Sequence, residues 1–87
     1  MKKKFLDFWA PWCGPCRITT PIVEELEKEY EGKIEFVKIN VDEDPENIAQ
    51  KYGVMSIPTF IVLKDDKEVG RKVGAVPKAE LQKLLES

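Results

Sequence analysis

The sequence predicts an α/β fold, a four-stranded mixed sheet flanked by helices, in one domain over residues 1–87. Three observations carry that reading. Short runs rich in branched and aromatic residues alternate with amphipathic stretches that open at Pro or close at Gly. Two of the runs are separated only by Lys64, Asp65, Asp66 and Lys67, a charged break short enough for a hairpin. A length of 87 residues allows one modest core and no second.

Residues 3–10 form an apolar and aromatic run closed by Pro11, which reads as a buried strand. Pro15 suits a first helical turn, and Ile18, Ile22, Leu26 and Tyr30 recur every four residues opposite a charged side, so a helix is expected from about Pro15 to Gly32. Pro21 inside it removes a backbone donor and predicts a kink. Residues 34–41 carry a second strand, with Asp44 as cap and Pro45 as first position of a short helix ending near Gly53. Strands follow at Ile57–Leu63 and Glu68–Val73, paired antiparallel, and Pro77 opens a last helix whose Leu81, Leu84 and Leu85 share a face. The first strand–helix–strand unit should be a right-handed crossover between parallel strands.

Composition narrows the function. Fourteen Lys and Arg against 16 Asp and Glu, with the signs interleaved, leave no basic stripe for phosphates, so no nucleic acid partner is expected. No segment approaches the ~18 consecutive apolar residues of a membrane span, so no membrane partner is expected either. Met1, Lys2, Lys3 and Lys4 resemble the start of a secretory signal, but Asp7 breaks the apolar run behind them, and the sequence reads as mature from residue 1. Two cysteines and no histidine do not make a disulfide-stapled scaffold, and the expected compartment is the cytoplasm.

Those two cysteines stand in Trp12-Cys13-Gly14-Pro15-Cys16, where the first strand hands over to the first helix. Residues three apart share a helix face, so the sulfurs can meet if Cys13 sits at the helix start. The unpaired N–H groups and positive dipole end there favour a thiolate, making Cys13 the nucleophile and Cys16, one turn in, the shielded resolving thiol. Three plainer readings compete. A structural disulfide closing so short a loop would stabilise little. Zinc needs more ligands than two cysteines and no histidine supply. Two unrelated core cysteines would not require Gly and Pro between them.

The run Phe8-Trp9-Ala10-Pro11-Trp12-Cys13-Gly14-Pro15-Cys16 resembles the thioredoxin family, and Val37–Asp42, Tyr52–Thr59 and Val73-Gly74-Ala75 are similar to it in the same order. The resemblance covers essentially the whole chain. It implies a minimal thioredoxin-like fold and a protein-disulfide reductase, because Gly14 and Pro15 between the cysteines mark the reducing members. The implied partners are disulfide-containing protein substrates and a thioredoxin reductase-type electron donor, with no bound cofactor. The family usually opens with a further strand and helix, which have no counterpart ahead of residue 3. The second strand therefore becomes an edge; a monomer is expected, with an edge-strand dimer as the alternative.

Site residues follow from residues and resemblance together. Asp7 lies on the strand face of Phe5 and Trp9, where a partly buried carboxylate of raised pKa can accept the Cys16 proton, a role in which the resemblance places an acid. A solvated strand carboxylate is the plainer account. Lys38, by resemblance, pairs with Asp7 and tunes it, against the simpler reading of an exposed lysine. The resemblance makes Pro58 a cis proline beside the dithiol that leaves the Ile57 backbone free for a substrate strand. Trp12, Gly74 and Ala75 complete an apolar rim around Cys13, with Gly14 and Pro15 part of the same substrate-binding surface. Trp9 reads as core and Arg17 as an exposed helix charge. A binding module using the Ile57–Pro58 groove without turnover, and a thiol oxidase or isomerase, are the rival functions.

Overall fold

A computed structural model describes residues 2–87; the expectation that the mature sequence starts at Met1 lies outside the described residues. The elements follow the order β1 (Lys3–Trp9), α1 (Gly14–Glu29), β2 (Glu35–Asn40), α2 (Ile48–Lys51), β3 (Thr59–Lys64), β4 (Lys67–Val73) and α3 (Lys78–Leu85). β1 pairs parallel with β2 and antiparallel with β3, which pairs antiparallel with β4, so the sheet runs β2-β1-β3-β4. β2 is an edge, as the sequence implies.

Alternation along β1 divides the core between two faces. Phe5, with Phe60 and Val62 of β3, meets Val23 and Leu26 of α1 and Leu81, Leu84 and Leu85 of α3. Phe5 lies between Phe36 and Phe60, at ring-centroid distances of 4.9 and 5.7 Å. On the other face Leu6 and Phe8 join Ile39, Ile61 and Leu63, covered by half-buried Ile48, Ala49, Tyr52 and Val54 around α2. β3 is buried from Thr59 to Leu63, which explains its unbroken apolar run.

Several boundaries and one helix face differ from the sequence reading. The buried side of α1 is Cys16, Thr19, Val23 and Leu26, while Ile18 is 65% exposed. A four-residue spacing drifts by about 40° per step, so Ile18, two steps from Leu26, falls off its stripe while Ile22 and Tyr30 still pack against the core around Leu26; burial of Cys16 in the first turn sets the phase. The helix continues through Pro21 as one element and ends at Glu29. α2 begins at Ile48, not Pro45, with Asn47 left-handed at φ 53°, although the Asp44 carboxylate still accepts the Ile48 and Ala49 N–H groups at 3.0 and 2.8 Å. Pro77 precedes α3 as its N-cap. β3 starts at Thr59, leaving Ile57 and Pro58 in the preceding loop. Asp65 and Asp66 alone form the hairpin turn, at φ 52° and 68°, the left-handed pair that matches strand twist.

Lys78 of α3 joins the two long helices by binding Glu25 and Glu29 of α1, and the Lys3 ammonium ties β1 to α3 by donating to the Leu85 carbonyl at 2.8 Å. Leu26 is fully buried where α1 meets the sheet. Leu26→Ala is expected to cost about 3 kcal/mol, read as a lower urea midpoint at unchanged m value.

Candidate active site

β1 ends at Trp9, and a tight turn, closed by the Cys13 N–H donating to the Ala10 carbonyl at 3.1 Å, carries the chain into α1. Cys13 is the N-cap of that helix, with extended backbone (φ −87°, ψ 107°), and its Sγ accepts the Cys16 N–H at 3.1 Å. Gly14 and Pro15 occupy the first two helical positions, where Pro gives up an N–H that has no helical partner. Cys13 and Cys16 are joined by a disulfide with Cα atoms 5.3 Å apart. Both residues are 4% exposed, so burial alone does not separate the attacking from the shielded sulfur as the sequence suggested. Their difference lies in position: the cap sulfur receives the helix amide.

Below the dithiol, Cys16, Thr20 and Val23 follow one another along a single helix face. Thr20 and Val23, with Asp7, Trp9 and Lys38, line a cavity of about 200 Å³. Asp7 is 8% exposed, and desolvation pushes its carboxyl up to about 6, against the opposing pull of Lys38. The two are register partners across β1 and β2. Lys38 does not form the ion pair with Asp7 that the sequence reading gave it; its ammonium stands 3.4 Å from Glu27 of α1, both side chains half exposed. It therefore acts on Asp7 as a nearby charge rather than as a contact partner. The Trp9 Nε1 is buried with no hydrogen-bond partner, beside the same cavity.

On the other side of the dithiol an open groove of about 390 Å³ is lined by Trp12, Val41, Ala49, Val54, Met55, Ser56 and Ile57. Ile57 packs against Ala10, Cys13 and Cys16. The Ile57–Pro58 peptide bond is cis, the isomer implied by resemblance. The Gly74 N–H donates to the Pro58 carbonyl at 2.8 Å, which brings Val73, Gly74 and exposed Ala75 beside that loop. A side chain at Gly74 would meet nothing within 4 Å, so glycine answers here to φ +96°.

Two partners of the site were not singled out from the sequence. Asp42 accepts the Trp12 indole N–H at 2.8 Å, and Arg17, read as a plain surface charge, donates to the Pro11 carbonyl at 3.1 Å. Both bonds hold the turn that carries Cys13. The first joins residues 30 apart in sequence, a separation no local motif encodes. Among the described residues no group of three or more His, Cys, Asp or Glu could hold a metal ion, and no helix is long and apolar enough to cross a membrane.

The sequence model of the family Thioredoxin matches residues 1–87. The chain belongs to the thioredoxin family. It is 53% identical over 81 residues to Thioredoxin 1 of Nostoc sp., covering 93% of this chain and 75% of that protein. Thioredoxin of Bacillus subtilis is 57% identical over 79 residues, 91% of this chain and 75% of that one. A chloroplastic M-type thioredoxin of Pisum sativum is 54% identical over 93% of this chain and 46% of its own length. The X-ray structure of Fasciola hepatica thioredoxin superposes with a TM-score of 0.87 at 44% identity, over 98% of this chain and 79% of that one. The chain is thus a thiol–disulfide oxidoreductase that reduces disulfides in target proteins through its Cys13-Gly14-Pro15-Cys16 dithiol, and the family implies a reductase as electron donor.

The buried carboxylate has a thermodynamic consequence. A carboxyl whose folded pKa is raised to about 6 from 3.8 favours folding while it is protonated, and that contribution is lost as pH rises through 6. Asp7→Asn is therefore expected to stabilise the protein at pH 8 by up to about 3 kcal/mol and to change little at pH 3. Denaturant titrations of both proteins at the two pH values check the sign.

Proposed function

We propose that Cys13 is the attacking thiolate, Cys16 the resolving thiol, and Asp7 the group that manages the proton between them. The observation that carries the assignment is the Cys16 N–H donated to the Cys13 Sγ at 3.1 Å at the start of α1. An N–H aimed at sulfur, together with the helix dipole, favours the anion over the thiol. In the reduced protein the Cys13 thiolate attacks one sulfur of a target disulfide. A bond forms between Cys13 and that sulfur, the target S–S bond breaks, and the second target sulfur leaves as thiolate. Cys16 then gives its proton to the Asp7 carboxylate and attacks the Cys13 Sγ. The mixed disulfide breaks, the first target sulfur leaves, and two electrons have passed to the target as Cys13–Cys16 forms.

The raised pKa of Asp7 supports this division of labour, because a carboxylate that holds its proton up to about 6 is a far better acceptor from a thiol than an ordinary aspartate. Lys38 is the field that keeps Asp7 from rising further. Trp12, Gly14, Pro15, Ile57, Pro58, Gly74 and Ala75 form the surface that receives the target chain. Ile57 packs against Cys13 and Cys16, and an extended target segment laid along its backbone can add its own hydrogen bonds there. We further assign residues 1–87 to one domain acting as a monomer in the reducing cytoplasm, with the free edge of β2 as the surface through which a dimer would form.

The test is insulin disulfide reduction with dithiothreitol as electron source. Cys13→Ser is expected to abolish catalysis, and pre-reduced Cys16→Ser, mixed with insulin after dithiothreitol is removed, to accumulate a mixed disulfide that resolves only when thiol is added back. Asp7→Asn is expected to slow resolution by about a hundredfold and to remove the decline in its rate as pH falls through 6. A folded Cys13→Ser protein with undiminished turnover would overturn the scheme.

A further inference from the structure

The outer wall of the groove is built from residues 45–57, and little holds it in place. Its only regular element, α2, is a single turn with no fully buried residue, and Ile48, Ala49, Tyr52 and Val54 are half-buried. The wall's hydrogen bonds are local: the adjoining Asp44 carboxylate accepts from Ile48 and Ala49, and the Val54 N–H reaches the Ala49 carbonyl at 2.8 Å. Among the described residues one hydrogen bond joins this stretch to a remote part of the chain. Arg71, on edge strand β4, donates through Nη2 to the Tyr52 carbonyl at 2.7 Å, across 19 residues.

That guanidinium is itself fixed. The Glu68 carboxylate accepts its Nε and Nη2 N–H groups, each at 2.7 Å, and both side chains are about one-third exposed. A planar fork held by a carboxylate loses little further freedom when it donates a third bond, so the Tyr52 contact works as a rigid strut. Tyr52 is the residue that closes α2, and the chain runs from it through Gly53, at φ +65°, directly into Val54, Met55, Ser56 and Ile57 of the groove.

We propose that Arg71, anchored by Glu68, is a positioning residue for substrate recognition: by tying the end of α2 to β4 it sets the wall from Val54 to Ile57 against Trp12. The inference rests on the reading that this groove receives the target chain. A protein disulfide must place its flanking chain in the groove, whereas a small disulfide needs only access to sulfur. Arg71 therefore governs recognition of protein targets and leaves the thiol chemistry alone.

The test compares wild type with Arg71→Met, which keeps an unbranched stem and removes every donor, with Arg71→Lys, and with Glu68→Gln. In insulin reduction, Arg71→Met is expected to raise KM about five- to tenfold with kcat within about twofold of wild type. The single-turnover rate of the reduced protein with 2-hydroxyethyl disulfide should stay within about twofold. Arg71→Lys, which keeps a donor and the charge, should recover most of the loss, and Glu68→Gln should fall between. Backbone amide exchange at Gly53, Val54 and Ser56 reports the strut without reference to activity and should accelerate in Arg71→Met by at least about threefold. Unchanged exchange there would overturn the strut, as would insulin and small-disulfide rates falling together. Faster exchange with unchanged insulin KM would overturn the groove as the recognition surface, and Arg71's part in it. A wild-type protein that reduces the small disulfide and not insulin would count against the functional reading itself, while the exchange measurement still judged the strut.

Discussion

β1 sits between β2 and β3 with both of its faces covered, so its backbone must find partners in the ladders and its side chains must satisfy two opposed layers. Much of the site follows from that placement. The strand's alternation puts Asp7 on the α1 face, at a depth where only 8% of it reaches solvent. Its C-terminal end delivers the chain into the turn from which α1 starts, with Cys13 as the cap. Its pairing with β2 brings Lys38 into register with Asp7 and lets the Val41 N–H reach the Trp9 carbonyl at 2.9 Å, on the border of the groove. A redox pair, a buried acid and a groove wall are thus positioned by one strand.

The electrostatic arrangement works against stability at neutral pH. A carboxylate in an apolar cavity must either ionise without water or keep its proton, and the raised pKa of Asp7 expresses that conflict. The nearest ammonium does not remove it, because Lys38 is held by Glu27 and both remain partly in solvent, where screening weakens what the lysine can do for Asp7. In the proposed scheme the conflict is the useful property. A fully neutralised aspartate would be a poor proton acceptor, and a costly buried charge tolerated beside a reactive pair is what a proton-handling role requires.

The periphery is built more lightly. β2 ends the sheet. Apart from the Arg71 bond to the Tyr52 carbonyl, the groove wall between Asp44 and Pro58 likewise relies on short-range hydrogen bonds and half-buried side chains. The helix-capped dithiol and the lightly held wall lie side by side around Cys13, so the sulfurs are fixed more firmly than the groove beside them.

Much of this was legible from local pattern. The four strands, the three helices, the hairpin at Asp65 and Asp66 and the dithiol at a helix start follow from side-chain periodicity, Pro and Gly positions and a three-residue cysteine spacing, all set by neighbours in sequence. The sequence failed where packing over distance decided. The phase of α1 follows from burial of Cys16, which exposes Ile18 despite its apolar character. The delayed start of α2 is by contrast a local effect, with Asp44 capping amides four and five residues ahead, so that the helix opens at Ile48 and not at Pro45. Lys38 turned to Glu27, and Trp12 found Asp42, because each meets its partner only after β1, α1 and β2 are assembled. Asp7 could be nominated by its place in a strand, but its raised pKa needed the cavity walls that Trp9, Thr20 and Val23 supply. Local sequence determined which groups were available to react; only the tertiary structure decided which of them lost water and which found a partner, since desolvation and long-range hydrogen bonds exist only once distant segments meet.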